Sequence, residues 1–151
     1  LKKIGKFVKP AQGFTVVATA NTKGKGSDDG RFVGTNVLNE AFLERFPITF
    51  EQQYPSTISE QKILELLNPN DDFNKKLVDW ADIIRKTFYD GGIDEIISTR
   101  RLVHIIKAYQ IFGNREKAIT TCISRFDEET KQAFQELYDK VDADVDFDKE
   151  V

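Results

Sequence analysis

The stretch FNKKLVDWADIIRKTF, at residues 73–88, decides the fold of the larger part of the chain. Its apolar side chains recur every third or fourth residue, the spacing that places them on one face of an α-helix. The pair Gly91-Gly92 follows and predicts the end of this helix. The apolar stripe consists of Phe73, Leu77, Trp80, Ala81, Ile84 and Phe88. A helix with so broad an apolar face needs other helices to cover it.

Residues 57–151 supply those partners. Thr57 and Glu60 form the pattern of a capping box ahead of a first helix. Ser98 and Asp127 are suited to begin two later helices as amino-terminal caps, and a shorter helix is expected between these two. We therefore predict an all-helical bundle over this part of the chain.

Residues 1–56 have a different character. The run FTVVATA at residues 14–20 is short, apolar and rich in β-branched residues, which predicts a buried strand. A short helix is expected to end near Arg45, and residues 46–50 predict a second strand. Pro47 in this segment indicates either an edge strand or the start of a strand. Two strands do not make a stable sheet. We therefore predict an α/β fragment, incomplete by itself.

Composition excludes several classes of protein. The chain has 151 residues and a net charge of −3, and it lacks an apolar run of the roughly 20 residues that a membrane-spanning helix needs. The single cysteine, Cys122, excludes an internal disulfide framework and fits the reducing cytoplasm. With His104 as the only histidine, a metal site built from histidines and cysteines is excluded as well.

Nucleic-acid binding is a weaker hypothesis that rests on the lysine-rich first 25 residues. Phe7 and Phe14 are the aromatic residues there, fewer than base-stacking platforms use. The chain also begins at Leu1 and contains no methionine, so we expect it to be a fragment of a longer protein.

Two polar residues flank the predicted strands. Asn21 directly follows the first strand, at the edge where α/β sheets bind ligands. Taken alone, the simpler interpretation is that it starts the next loop. Arg45 is placed to reach a phosphoryl group in a neighbouring subunit, and the alternative is a surface ion pair with Glu40, Glu44 or Glu51.

Arg100 and Arg101 fall in the first turn of the helix that Ser98 is expected to cap. Cations are unfavourable at a helix amino terminus because they oppose the helix dipole. Two of them there suggest an anionic partner such as phosphate, with Asp94 or Glu95 as a simpler alternative.

Taken in order, these segments resemble the second half of an AAA+ ATPase of the MoxR and dynein-related group, most of all the small ATPase subunit of cobaltochelatase. The resemblance covers about residues 10–112, and it rests on FTVVATANT at residues 14–22, NEAFLERF at 39–46 and STR at 98–100. It implies that residues 1–56 are the carboxyl-terminal part of the P-loop ATPase core and residues 57–151 its helical lid.

The resemblance also implies roles for single residues. Asn21 matches the sensor-1 position beside the terminal phosphate, and Arg45 matches the arginine finger of the adjacent subunit. Arg100 matches the sensor-2 arginine of the lid, with Arg101 as the alternative. The loop at residues 23–34 has no role that the resemblance defines.

The implied parent protein is an ATPase that uses ATP and Mg²⁺, assembles with identical subunits into a ring, expected to be hexameric, and remodels a partner protein, with a metal-chelatase complex as one candidate. The chain contains neither a Gly-Lys-Ser/Thr phosphate loop nor a hydrophobic strand that ends in paired acids to hold magnesium. Alone it is therefore expected to be inactive and to carry no cofactor. The alternative function is a helical protein-interaction module without nucleotide chemistry.

Overall fold

A computed structural model describes residues 5, 7–20, 39–69 and 72–143. Within these ranges all regular secondary structure is helical, and none of the helices is both long and apolar enough to cross a membrane. The helices are α1 (Glu40–Leu43), α2 (Thr57–Glu65), α3 (Asp72–Tyr89), α4 (Thr99–Phe112), α5 (Arg115–Ile123) and α6 (Glu128–Asp142). The chain divides into an amino-terminal unit, Leu1–Glu51, and a carboxyl-terminal unit, Gln52–Val151, which are described separately below.

The predicted helical bundle is confirmed in the described part of the carboxyl-terminal unit. Helix α3 lies at its centre and packs against α2, α4 and α6, while α5 packs against α4 and α6. Trp80 is fully buried, and its indole Nε1 donates a hydrogen bond to the carbonyl of Phe134 at 2.9 Å. This bond satisfies the polar end of the ring, which therefore ties α3 to α6 without an unpaired donor.

Helix boundaries follow the predicted caps in α4 and α6. The side chains of Ser98 and Asp127 accept hydrogen bonds from the backbone N–H groups of the third helical residues, Arg101 and Thr130. Gly113 ends α4 with a φ of 64°, a left-handed conformation that glycine adopts without strain. The local chemistry of these residues is sufficient to place both helix starts.

The predicted capping box of Thr57 and Glu60 is wrong. Helix α2 begins one residue earlier, with Ser56 as the amino-terminal cap that accepts from the N–H of Ser59. Glu60 does not reach back to the cap because its carboxylate is fully buried and bound to Arg85. Glu60 thus forms the buried ion pair with Arg85 and not the surface hydrogen bond of a capping box.

The strands predicted at residues 14–20 and 46–50 are not formed among the described residues, which lack any strand. A strand is stable only when a neighbouring strand pairs with its backbone, and neither segment has such a neighbour in the part of the chain that the structure describes. Val17 and Phe50 are each 88% exposed. In the amino-terminal unit the one described helix is α1, which Asn39 caps by accepting from the N–H of Ala41.

Candidate functional site

The start of α4 presents a cation to solvent. Arg100 lies in the first helical turn and is exposed. The first turn contains no acidic residue, so the positive end of the helix dipole and the guanidinium share one surface. An anion would find both a fixed charge and the positive end of the helix dipole at this place. The predicted site is therefore chemically suited to a phosphate group.

A buried ion pair lies beneath this helix start. Arg85 of α3 binds Glu60 of α2 through two parallel hydrogen bonds, of 2.7 Å from Nη1 to Oε2 and 2.9 Å from Nη2 to Oε1. The side chain of Glu60 is 0% exposed and that of Arg85 is 7% exposed. Bidentate pairing of this kind fixes both the distance and the orientation of the two groups.

Both partners of the ion pair also hold the segment that leads into α4. The Nε of Arg85 donates to the carbonyl of Ile97 at 2.8 Å. The hydroxyl of Thr99 donates to Oε1 of Glu60. These two contacts flank Ser98, the cap of α4, and they hold Ile97 against α3 and Thr99 against α2.

Tyr54 covers the outer side of the same guanidinium. Its ring lies over Arg85, 4.2 Å from the ring centroid to Cζ. Burial raises the pKa of the Tyr54 hydroxyl, and the positive charge of Arg85 partly opposes this rise. Beside the pair lies an open cavity of about 260 Å³, whose lining includes Tyr54, Arg85, Lys86 and Tyr89.

Arg101 is used inside the bundle. Its Nη1 donates to the carbonyl of Cys122 in α5, and its Cζ lies 4.6 Å from the ring centroid of Phe126. Burial and the charge of Arg125 lower the pKa of this guanidinium. Of the two arginines, Arg100 is the one that faces solvent at the helix start.

The remaining predicted site residues belong to the amino-terminal unit. Arg45 is exposed in the turn after α1, where its N–H donates to the carbonyl of Phe42 at 3.2 Å. Asn21 lies outside the described residues. The structure thus describes Arg100 and Arg101 within one unit and Arg45 within the other, and their roles stay predictions.

Sequence reasoning missed the buried network of Glu60, Arg85 and Thr99. A signal was present, since Glu60 precedes the core residue Leu64 by one helical turn and Arg85 follows the core residue Ala81 by one turn. Opposite charges at core-facing positions of two helices indicate a buried pair. The described residues contain no group of three or more histidine, cysteine, aspartate or glutamate side chains arranged to hold a metal ion.

A known protein family and a known relative match much of this chain. Residues 60–141, more than half of the chain, match the protein family described as CbbQ/NirQ/NorQ C-terminal. The chain is also 27% identical over 142 residues to the aerobic cobaltochelatase subunit CobS of Sinorhizobium sp.. That alignment covers 89% of this chain and 43% of the relative, so the chain spans less than half of the relative's length. No solved structure matches the chain significantly.

Proposed function

The chain belongs to the CbbQ/NirQ/NorQ C-terminal family, and the predicted resemblance to the carboxyl-terminal part of a MoxR-like AAA+ protein is confirmed; from this premise we propose that its parent protein couples ATP hydrolysis to the remodelling of a partner protein. In this proposal the helical unit is the lid over the nucleotide, and Arg100 is its sensor-2 arginine. The observation that carries it is the exposed Arg100 at the capped start of α4.

The residues at this start fit the phosphate part of ATP. Arg100 would donate hydrogen bonds to a terminal phosphate oxygen and neutralise charge that builds up there during transfer. Mg²⁺ bound with ATP supplies further charge neutralisation at the phosphates. The described residues contain no group of three or more histidine, cysteine, aspartate or glutamate side chains that could hold a metal ion, and we assign the magnesium ligands to the part of the parent upstream of this chain.

Exposed apolar side chains in the amino-terminal unit support an incomplete α/β core. Phe14, Val17, Ile48 and Phe50 are between 67% and 88% exposed, although they lie in segments whose residue types favour strands. Apolar side chains of such segments become buried when the segment pairs within a sheet whose faces are covered. We propose that these segments pair with upstream strands in the parent, where Asn21 would act as sensor 1.

Assembly into a ring follows from the arginine-finger proposal. Arg45 is exposed on the amino-terminal unit, as a residue that acts on a neighbouring subunit must be. The proposed assembly is a homohexamer in the cytoplasm. Because the Sinorhizobium relative is a cobaltochelatase subunit, a metal-chelatase complex is the first candidate for the remodelled partner.

The sequence encoded upstream of Leu1 separates this proposal from the alternative of a helical interaction module. We expect a glycine-rich loop that ends in Gly-Lys-Ser/Thr, followed by a strand with paired acidic residues. Sequencing the gene in that direction is the measurement. A gene without such a loop would favour the interaction module and remove the basis for ATP hydrolysis.

Replacing Arg100 with alanine in the full-length parent tests the lid assignment. We expect ATP turnover to fall about a hundredfold, because a charge that acts on the transferring phosphoryl group is lost. Steady-state kinetics of phosphate release measures the effect. Lys107→Ala is the matched control, since Lys107 is exposed on the same helix two turns further on and is expected to leave turnover within about twofold. Equal effects of the two changes would refute the sensor-2 role.

A further inference from the structure

We propose that Glu60, Arg85 and Thr99 are positioning residues for Arg100, a role that rests on the proposed function. The ion pair of Glu60 and Arg85 does more than join α2 to α3, because each partner also binds a residue beside the cap of α4. Through these bonds the network sets the place and direction in which Arg100 leaves the bundle.

We call the network of Glu60, Arg85 and Thr99 the clamp. Each guanidinium nitrogen of Arg85 and each carboxylate oxygen of Glu60 has a hydrogen-bond partner. Arg85 uses Nε for the carbonyl of Ile97 and both Nη atoms for Glu60. Oε1 of Glu60 accepts from Arg85 and from the hydroxyl of Thr99 at the same time. No buried side-chain nitrogen or oxygen in the described residues lacks a hydrogen-bond partner. A displacement of α4 would therefore break charge-assisted bonds in a buried setting.

The position of Thr99 links the clamp to the proposed chemistry. Thr99 is the first residue of α4 and Arg100 is the second. First turns of helices tend to fray, since their N–H groups have no partner within the helix. A side-chain bond from the first residue to a fully buried carboxylate opposes fraying. Catalytic contacts depend on such fixing, because a misplacement of about 1 Å can lower a rate about a hundredfold.

The buried carboxylate of Glu60 also stabilises the start of α4 electrostatically. Its carboxylate is fully buried and lies within hydrogen-bonding distance of the first residue of α4. Negative charge at this end of a helix is favourable. Arg85 neutralises that charge on its other side, so the buried carboxylate orders the helix start without competing with an anion for Arg100.

Thr99→Val tests the clamp with the smallest disturbance, since valine keeps the shape of threonine and removes the hydroxyl. In the 151-residue chain we expect the amides of Arg101 and Leu102 to exchange hydrogen about tenfold faster, the effect of losing one hydrogen bond to a charged group. In the full-length parent we expect ATP turnover to fall about tenfold. Thr99→Ser, which restores the hydroxyl, is expected to recover both properties.

A double mutant separates positioning from a general structural role. If Thr99 acts through Arg100, Thr99→Val will lower turnover no further in a protein that already carries Arg100→Ala. A further loss of the same size in that background would overturn the proposal, as would unchanged turnover for Thr99→Val alone. Thr99→Ala removes the same hydroxyl with a smaller side chain and has the same expected outcome.

The same variants distinguish a wrong sensor-2 role for Arg100 from a wrong positioning role for the clamp. If Arg100→Ala itself leaves turnover unchanged, the sensor-2 role is wrong and the positioning role falls with it. If Arg100→Ala lowers turnover and Thr99→Val does not, the sensor-2 role stands and only the clamp is refuted.

Discussion

Replacing Arg45 with alanine in the full-length parent is expected to lower ATP turnover about a thousandfold or more, the effect typical of removing an arginine finger. Nucleotide affinity is expected to change by less than about twofold, because phosphate-loop backbone groups and Mg²⁺ hold most of the nucleotide in such proteins. Steady-state phosphate release and equilibrium nucleotide binding measure the two effects. Turnover that survives this change would remove the arginine-finger assignment.

The neighbouring residue offers a matched control. Glu44 is exposed beside Arg45 and caps the carboxyl end of α1. Glu44→Ala is expected to leave turnover within about threefold, as for a surface residue away from the chemistry. A large loss with Glu44→Ala would point to a disturbed α1 rather than to a missing catalytic charge.

Action in trans can be tested by mixing two variants that each have low turnover. Subunits with Arg45→Ala retain Arg100, and subunits with Arg100→Ala retain Arg45. When the two assemble in one ring, some nucleotide sites combine an intact Arg100 with an intact Arg45 from the neighbour. We expect turnover to rise above that of either variant alone. Absence of any rise in verified mixed rings would place Arg45 outside the neighbour's site.

The helical part of the fold was predictable because its signals are local. The apolar stripe of α3 and the caps at Ser98 and Asp127 lie within a few residues of the structure they specify. Helix formation needs bonds only between residues four apart, so a short window of sequence carries the information. These elements were predicted with the correct type and nearly the correct bounds.

The strands and the buried clamp were harder to predict from the sequence, because both depend on partners that are distant along the chain. Residues 14–20 have the composition of a strand, yet a strand forms only with a paired neighbour. Glu60 and Arg85 are separated by 25 positions in the sequence, and a local pattern assigned Glu60 to a surface capping box. Arg100 was predictable as a candidate from its place after the cap, whereas the contacts that hold the neighbouring residues Ile97 and Thr99 were not.

Removing either partner of the buried ion pair is expected to destabilise the carboxyl-terminal unit strongly. Glu60→Ala leaves the guanidinium of Arg85 buried without its carboxylate, and Arg85→Ala leaves the carboxylate of Glu60 buried without its cation. We expect each change to lower the free energy of unfolding by about 3–5 kcal/mol, the typical penalty for an uncompensated buried charge. Urea denaturation of the 151-residue chain, followed by circular dichroism, measures this loss.

An exposed ion pair in the same helix provides the comparison. Lys75 and Asp79 of α3 lie 2.9 Å apart and are 68% and 38% exposed. Asp79→Ala is expected to change the free energy of unfolding by about 0.5 kcal/mol or less, since solvent screens the pair. A loss for Glu60→Ala no larger than that for Asp79→Ala would mean that the buried pair contributes little net stability.

Replacing both partners with apolar residues separates stability from position. The double variant Glu60→Leu and Arg85→Met removes both charges and retains much of the side-chain volume, so we expect it to recover most of the stability that either single alanine change loses. It cannot hold the carbonyl of Ile97 or the hydroxyl of Thr99. Turnover of the parent is therefore expected to stay low in a protein that is again well folded. Recovery of turnover together with stability would show that Glu60 and Arg85 contribute to the stability of the bundle and do not position Arg100.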